Sequence, residues 1–358
     1  MNARRFFAVV VKELRQLARD RMTVALMVGI PALQLVLFGY AINLDVRNLP
    51  ATSVDMAATT GSRAVLADLH ATGVLEPVAR ANSPREAMAQ LRRGEAAVAL
   101  VVPADFERRA AEGRPVLQVL VDGSDASVQQ AALRLAEYPF DGTATPPRVS
   151  VLPLYNPERR SAVNIVPALI GVILTLTMVL FTAVALVRER ERGNLELLIA
   201  TPVTRLELMG GKVLPYIGIG LVQTSIVLGL GMLLFAVPVR GSVLDVYLAA
   251  LLLIAANLAL GLLISTRSRT QFQAMQMTFF VFLPSLLLSG FMFPFAGMPK
   301  PAQWIAEILP LTHFVRLIRG VMLRGAGLGE QWPEVLALLA FAVLVMAVAT
   351  LRFRKRLD

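Results

Sequence analysis

The chain has 358 residues, of which 56% are hydrophobic, and its formal net charge is +10. It contains no cysteine, so a disulfide-stapled secreted domain is excluded, and its apolar content excludes a disordered chain.

Six uncharged apolar runs divide the sequence. At 1.5 Å per residue each is long enough to cross a hydrocarbon core of roughly 30 Å, the last one only marginally. They are predicted to be helices, because a backbone in lipid must satisfy its own hydrogen bonds. The runs are 22–44, 163–187, 213–239, 246–266, 270–299 and 335–351.

Residues 1–21 are predicted to form an amphipathic helix at the cytoplasmic interface. Phe6, Val10, Leu14 and Leu17 fall on one helical face, with basic residues distributed around it. The alternative is a basic flank that only orients the first span. That span, 22–44, is too long for the apolar part of a signal peptide and lacks a small-residue cleavage site, so we interpret it as retained.

The segment 45–160 is the one large water-soluble part and predicts a small mixed α/β domain. Strand-like runs at 96–102 and 116–121 alternate with helix-like stretches at 62–72, 84–93 and 104–112. Ser83 is a plausible N-cap before Pro84, so a helix is predicted to begin there. About 115 residues are enough to bury a core.

A densely charged linker, 188–212, follows directly on the span 163–187. Acidic and basic residues alternate in it, and Leu195, Leu198 and Ile199 form an apolar stripe. A mere connection between spans needs neither feature, so we interpret the linker as a surface that a cytoplasmic partner binds. The alternative is a solvated charged loop.

Side-chain amides occur inside the otherwise apolar spans. An amide is costly in lipid unless it meets another helix or water. These residues therefore either join helices or line a translocation path, and the lack of charge within the spans argues against a proton or metal-ion relay. They are Gln34, Asn164, Gln223, Asn257, Gln273 and Gln276.

Residues 295–331 predict broken helices rather than a crossing. Proline recurs through this segment, yet apolar residues keep helical spacing, so two short helices interrupted at Pro310 are expected. The pattern leaves open whether they dip into the membrane or lie on it. Arg316 and Arg319 are expected to face water or lipid headgroups.

The basic residues indicate the orientation. With the N-terminus in the cytoplasm, the inner segments 1–21, 188–212, 267–269 and 352–358 hold 17 basic and 7 acidic residues, and the rest holds 18 of each. The positive-inside rule thus accounts for the net charge without nucleic-acid binding. Both termini, including the basic tail 352–358, are predicted to be cytoplasmic, and 45–160 extracytoplasmic.

The sequence offers no catalytic site. It lacks a phosphate-binding loop, because Gly211-Lys212 is followed by Val213 and has no upstream glycine of the required spacing. His70 and His313 alone cannot build a metal site. We therefore expect no enzyme activity, resident cofactor or metal.

The combined pattern resembles the type-2 permease family of ATP-binding-cassette (ABC) exporters. The resemblance rests on Glu189-Arg-Glu-Arg-Gly-Asn-Leu-Glu-Leu-Leu, on Thr201-Pro-Val, and on Gly211-Lys-Val-Leu-Pro215, within the order amphipathic helix, span, outer domain and five further spans (163–351). It is similar above all to bacterial multidrug-export-type permeases with an enlarged first outer domain.

This resemblance implies a six-span permease of the bacterial inner membrane that pairs with a second copy or a sister permease. A separate cytoplasmic ATPase would hold ATP and magnesium and would grip the linker as a coupling helix. Lipid and a periplasmic adaptor are the other expected partners. The implied coupling residues are Glu189, Arg190, Glu191, Arg192, Gly193, Asn194, Leu195, Glu196, Leu198, Thr201 and Pro202.

Two other functions stay open. An ATPase-driven protein that transmits force to periplasmic partners, without passing a substrate, would share the linker. A secondary transporter would normally show ionisable residues at mid-membrane and repeated halves, and the sequence shows neither. If the protein is an exporter, its substrate is predicted to be hydrophobic or amphipathic.

Overall fold

The computed structural model describes residues 48–135, 148–158, 160–191 and 205–352, except the side chains at 126, 127, 134, 148 and 205–214. The predicted amphipathic helix 1–21, the first predicted span 22–44 and most of the charged linker lie outside the described residues. The predictions for those segments stay untested.

A five-stranded sheet forms the centre of an α/β domain at the N-terminal side of the described chain. The strands are β1 (Leu49–Asp55), β2 (Leu75–Arg80), β3 (Val98–Val102), β4 (Pro115–Asp122) and β5 (Arg148–Leu154). The strand order is β2-β1-β3-β4-β5, and every neighbouring pair is parallel except β3 and β4.

Four helices cover both faces of this sheet. Successive strand residues point to opposite faces, so Leu100 packs with α1, α3 and α4, whereas Val101 packs with α2. The predicted start of α2 is confirmed, because the Ser83 hydroxyl accepts a hydrogen bond from the Glu86 amide at 3.3 Å. The helices are α1 (Thr60–Ala71), α2 (Pro84–Arg93), α3 (Phe106–Ala111) and α4 (Ala126–Arg134).

Five further helices are long and apolar enough to cross a membrane. They correspond to the last five of the six predicted runs, and the first run is not described. The five are α5 (Ser161–Glu191), α6 (Arg205–Phe235), α7 (Val243–Arg267), α8 (Gln271–Leu288) and α11 (Trp332–Arg352). Helices α6 and α11 expose most of their apolar side chains, as expected of surfaces in contact with lipid or with other membrane helices.

The predicted span 270–299 is shorter in the structure. Helix α8 ends at Leu288, and the chain then turns through Gly290, whose φ of +79° lies in the region that favours glycine. A 3-10 turn at Phe295–Gly297 follows. The prediction was wrong here because an uncharged run does not show where a helix ends.

Helix α5 packs against α6, α7 and α8 and so lies at the centre of the bundle. Its contact with α7 is close at Gly261. A Cβ atom there would lie 2.8 Å from the Cβ of Thr182 and 2.9 Å from the carbonyl oxygen of Val179. Only glycine lets the two backbones approach to this distance.

The broken helices are present as predicted, with the interruption at Pro310. Helix α9 (Lys300–Ala306) precedes α10 (Pro310–Arg319), which continues into a π-helical turn at Gly320–Arg324 and a 3-10 turn at Leu328–Gln331. Phe314 and Ile318 of α10 belong to the same apolar core as α5 and α7. Helix α10 is therefore packed into the bundle, at the end that carries the α/β domain. We call this end the domain end, and the opposite end the linker end.

Candidate functional site

The linker end of α5 carries the first residues of the predicted coupling motif. Glu189, Arg190 and Glu191 form the last turn of α5, immediately before the undescribed part of the linker. Arg190 Nη1 donates to the carbonyl oxygens of Ser265 at 3.3 Å and Ser268 at 3.2 Å. These carbonyls lie where α7 ends, and a cation is favourable there because the last carbonyls of a helix lack partners within it.

Glu191 binds the beginning of the next helix. Its carboxylate accepts from the Gln271 backbone amide at 3.0 Å and from Gln271 Nε2 at 2.5 Å. Gln271 is the first residue of α8, where unpaired amides and the helix dipole favour a negative charge.

Two adjacent residues of α5 thus bind both helices that flank one short turn. We call the group Arg190, Glu191, Ser265, Ser268 and Gln271 the linker-end clasp. A displacement of the last turn of α5 would pull on the end of α7 and the beginning of α8 together. Of the predicted coupling residues, Glu189, Arg190 and Glu191 are described, and the last two belong to the clasp, but their coupling role stays a prediction.

The remaining predicted coupling residues lie outside the described residues, and their role stays a prediction. They are Arg192, Gly193, Asn194, Leu195, Glu196, Leu198, Thr201 and Pro202. The coupling role implied for Glu191 must allow for its contacts with Gln271.

Two of the predicted polar residues bind across helix pairs. Thr177 of α5 donates to Gln223 Oε1 of α6 at 2.9 Å. Asn257 Nδ2 of α7 donates to the Thr175 hydroxyl of α5 at 3.2 Å. Polar contacts thus join α5 to α6 and to α7, within one helical turn of each other along α5.

The other predicted polar residues lie elsewhere. Gln273 Oε1 accepts from the Arg269 amide at 2.9 Å, next to the clasp. The buried Oε1 of Gln276 has no hydrogen-bond partner. Asn164 Oδ1 accepts from Asn156 Nδ2 at 3.4 Å, and a 180° rotation of the Asn164 amide would instead let its nitrogen donate to the carbonyls of Gly123 and Ser124 at 3.1 Å. Gln34 is not described. The structure does not bring these residues together into one site.

A charged junction between the α/β domain and the bundle was not predicted. Arg324 Nη1 lies 3.0 Å from Asp122 Oδ2, with side chains only 11% and 8% exposed. Arg319 Nη1 lies 3.0 Å from Asp125 Oδ2. A third and more exposed pair joins Arg92 of α2 to Glu330. We call these three ion pairs the domain junction.

The expectation that Arg316 and Arg319 face water or lipid headgroups was wrong. Arg319 binds Asp125, and Arg316 binds Glu307 at 2.6 Å and stacks on the Phe295 ring at 4.3 Å. Both arginines therefore face carboxylates of the same chain rather than headgroups. Their periodicity showed which face of α10 they occupy, but no sequence signal showed that β4 ends opposite that face.

Within the described part of the chain, no group of three or more His, Asp or Glu side chains could hold a metal ion. His70, on α1, has a buried Nδ1 without a hydrogen-bond partner, and burial lowers its pKa. It lies on the domain, separate from the clasp and the junction.

Comparison with known proteins points to one family. A sequence profile described as ABC-2 family transporter protein matches residues 21–351. The probable multidrug ABC transporter permease YbhS of Escherichia coli K12 is 32% identical, over 100% of this chain and 99% of its own length. YbhR of the same strain, also a probable multidrug ABC transporter permease, is 27% identical over 98% of this chain and 99% of its own. The inner membrane transport permease YhhJ is 29% identical over 99% and 98%.

Proposed function

The chain belongs to the ABC-2 family of transporter proteins and is a permease subunit of an ABC transporter, and we propose that it exports a hydrophobic or amphipathic substrate. Membership confirms the resemblance found in the sequence. It implies an ABC ATPase as partner and a pairing of permeases. In the proposal, ATP and magnesium are bound by that separate ATPase and the substrate moves outward through the inner membrane.

The linker-end clasp is the observation that carries the proposed coupling. Residues 192–202 would be bound by the ATPase, and they follow directly on Arg190 and Glu191. A movement of the linker would reach α7 through Arg190 and α8 through Glu191. Coupling between two sites requires a physical element on which both sites act, and the last turn of α5 is the candidate for that element.

The substrate class is supported by the polar groups inside the bundle. Thr177, Gln223 and Asn257 are uncharged and form hydrogen bonds between helices, so this region of the bundle suits a substrate that needs little ionic compensation. The names of the relatives YbhS and YbhR, probable multidrug permeases, agree with such a substrate.

The orientation is also part of the proposal. The linker end and both termini are cytoplasmic, and the α/β domain and the broken helices are outside. The partition of basic residues supports this arrangement, because the inner segments hold the whole net charge of +10.

Transport in inside-out vesicles tests the proposal. Vesicles that contain the chain and its partner ABC ATPase should accumulate an amphipathic dye when ATP is added. Glu196→Lys should abolish accumulation and weaken ATPase binding, because like charges facing one another at an interface cost several kcal/mol, on the order of 100-fold or more in affinity. Glu112→Lys, on the exposed surface of the domain, is the matched control. Equal accumulation by both variants would contradict the coupling role.

The domain junction favours a second candidate function, the transmission of force to periplasmic partners. Two partly buried ion pairs bind the domain to the end of α10 and the following turn, so movement of the bundle would move the domain. The two functions differ in the vesicle assay. If the protein transmits force, ATP hydrolysis should depend on the permease, but none of the amphipathic dyes tested should accumulate in the vesicles.

A further inference from the structure

The environment of His313 requires a particular protonation state. His313 lies on α10 and its side chain is only 11% exposed. Its Nδ1 lies 2.5 Å from Glu334 Oε2 of α11. Its Nε2 lies 2.8 Å from the carbonyl oxygen of Glu307, in the connection between α9 and α10. Both ring nitrogens therefore face oxygen atoms that accept hydrogen bonds.

A neutral imidazole carries only one N–H group and can satisfy one of these two oxygens. The other nitrogen would then direct its lone pair at an acceptor. The imidazolium form donates from both nitrogens and satisfies both. A protonated Glu334 could donate instead, but Arg316 Nη1 stands 3.4 Å from its other oxygen and stabilises its negative charge. The geometry thus favours a doubly protonated ring.

Four alternating charges complete the site. Arg316 also binds Glu307 at 2.6 Å, so Glu307, His313, Arg316 and Glu334 form two cations and two anions, which we call the His313 network. The Glu307 carboxylate lies 3.8 Å from His313 Nε2. Helices α5, α7 and α8 also pack on α10, but within the described residues they form no ion pair with the ring. The network joins α9, α10 and α11.

The balance of interactions agrees with this state. Burial by itself lowers the pKa of His313, but the hydrogen bonds to Glu334 and to the Glu307 carbonyl, with the charge of Glu334, outweigh it and leave the pKa raised. A raised folded-state pKa means that the stabilisation is complete below the ordinary histidine pKa. It is lost as the pH rises through the folded-state pKa.

We propose that His313 is a protonated latch that holds the broken helices α9 and α10 against α11, and that loss of one ring proton to water releases the α9–α10 connection from α11. The latch is a pH-sensitive element at the domain end of the bundle. It requires no assumption about the substrate, the ATPase or the direction of transport.

Nuclear magnetic resonance of the histidine rings tests the protonation state directly. The chain has only two histidines, so ¹⁵N-histidine labelling of the full chain in lipid nanodiscs gives two rings, and His70→Gln assigns them. We expect His313 to be protonated on both nitrogens at neutral pH and to titrate above the ordinary value of roughly 6.5. His70 should titrate below it. A His313 ring with one proton throughout the mildly acidic and neutral range would overturn the proposal.

Thiol labelling tests the release. The chain has no native cysteine, so Ala306→Cys places one thiol at the buried end of α9, next to Glu307, and Met88→Cys on α2 provides an exposed reference thiol. We measure the rate at which each thiol reacts with an impermeant maleimide and divide the first rate by the second. The increase of thiolate with pH that the two thiols share cancels in this ratio. The ratio should rise at least roughly ten-fold across the His313 titration, the equivalent of one lost charge-assisted hydrogen bond.

A His313→Gln variant should show a constant ratio over the same pH range, and His70→Gln should keep the native rise. A native chain in which His313 titrates while the ratio stays constant would refute the latch, even with the protonation state as proposed. The ring measurement needs no His313 variant, so the proposal stays testable if that variant fails to fold.

Discussion

Removing the charge of Asp122 should loosen the α/β domain from the bundle. Asp122→Asn preserves shape but leaves the Arg324 guanidinium without its anion. Both side chains are about nine-tenths buried, so solvent screens the pair only weakly. Breaking a buried ion pair by removing one partner costs about 3–5 kcal/mol. Arg324 keeps a hydrogen bond to Gln331 Oε1 at 3.3 Å, which places the expected cost near the lower limit, at about 3 kcal/mol.

Hydrogen exchange of the full chain in nanodiscs measures this cost locally. A decrease of about 3 kcal/mol in the free energy of local opening corresponds to roughly hundred-fold faster exchange of the backbone amides. The acceleration should appear in peptides that cover the end of β4 and residues 319–331. Peptides from the middle of α5 should be unaffected, because the bundle core does not include the pair.

Two controls decide whether the effect is electrostatic. Arg108→Ala breaks the exposed pair between Arg108, whose side chain is 67% exposed, and Asp105. Exchange should stay close to native, because an exposed ion pair contributes little to stability. The double variant Asp122→Asn with Arg324→Met removes both charges and should recover most of the loss, since no unpaired buried charge remains. Native exchange in Asp122→Asn, or a double variant as destabilised as the single one, would refute this reasoning.

Three further predictions concern the bundle and the orientation of the chain in the membrane. Gly261→Val should destabilise the detergent-solubilised chain by about 1–3 kcal/mol through overpacking, measured by thermal unfolding. Gly218→Val is the control, because a Cβ atom there meets nothing within 4 Å, and it should not destabilise the chain. Equal melting temperatures of the two variants would contradict the close α5–α7 contact. Gln271→Ala should preserve ATPase binding but lower transport per ATP hydrolysed in vesicles, and unchanged coupling would remove the clasp from the mechanism. Met88→Cys should react with an impermeant thiol reagent on spheroplasts and Thr204→Cys should not, while the reverse result would invert the proposed orientation.

Local patterns predicted much of the architecture. The uncharged runs located five membrane helices, because apolar length is a property of consecutive residues. Ser83 and Pro84 located the start of α2, and Pro310 located the break before α10, for the same reason. Strands β1, β2 and β5 were missed. Strands β2 and β5 are sheet edges, and all three contain proline and polar residues that weaken an alternating pattern.

Composition and order along the chain were thus sufficient for the class of protein, the approximate positions of five membrane helices and the family resemblance, since each depends on residues close in sequence. The partners of its charges depended on folding. Asp122 and Arg324 are 202 positions apart, and Glu191 and Gln271 are 80 apart. Which charge meets which is set by the register of β4 and by the packing of α5, α7, α8 and α10. No period along the chain encodes that register, so only the folded arrangement shows the clasp, the domain junction and the His313 network.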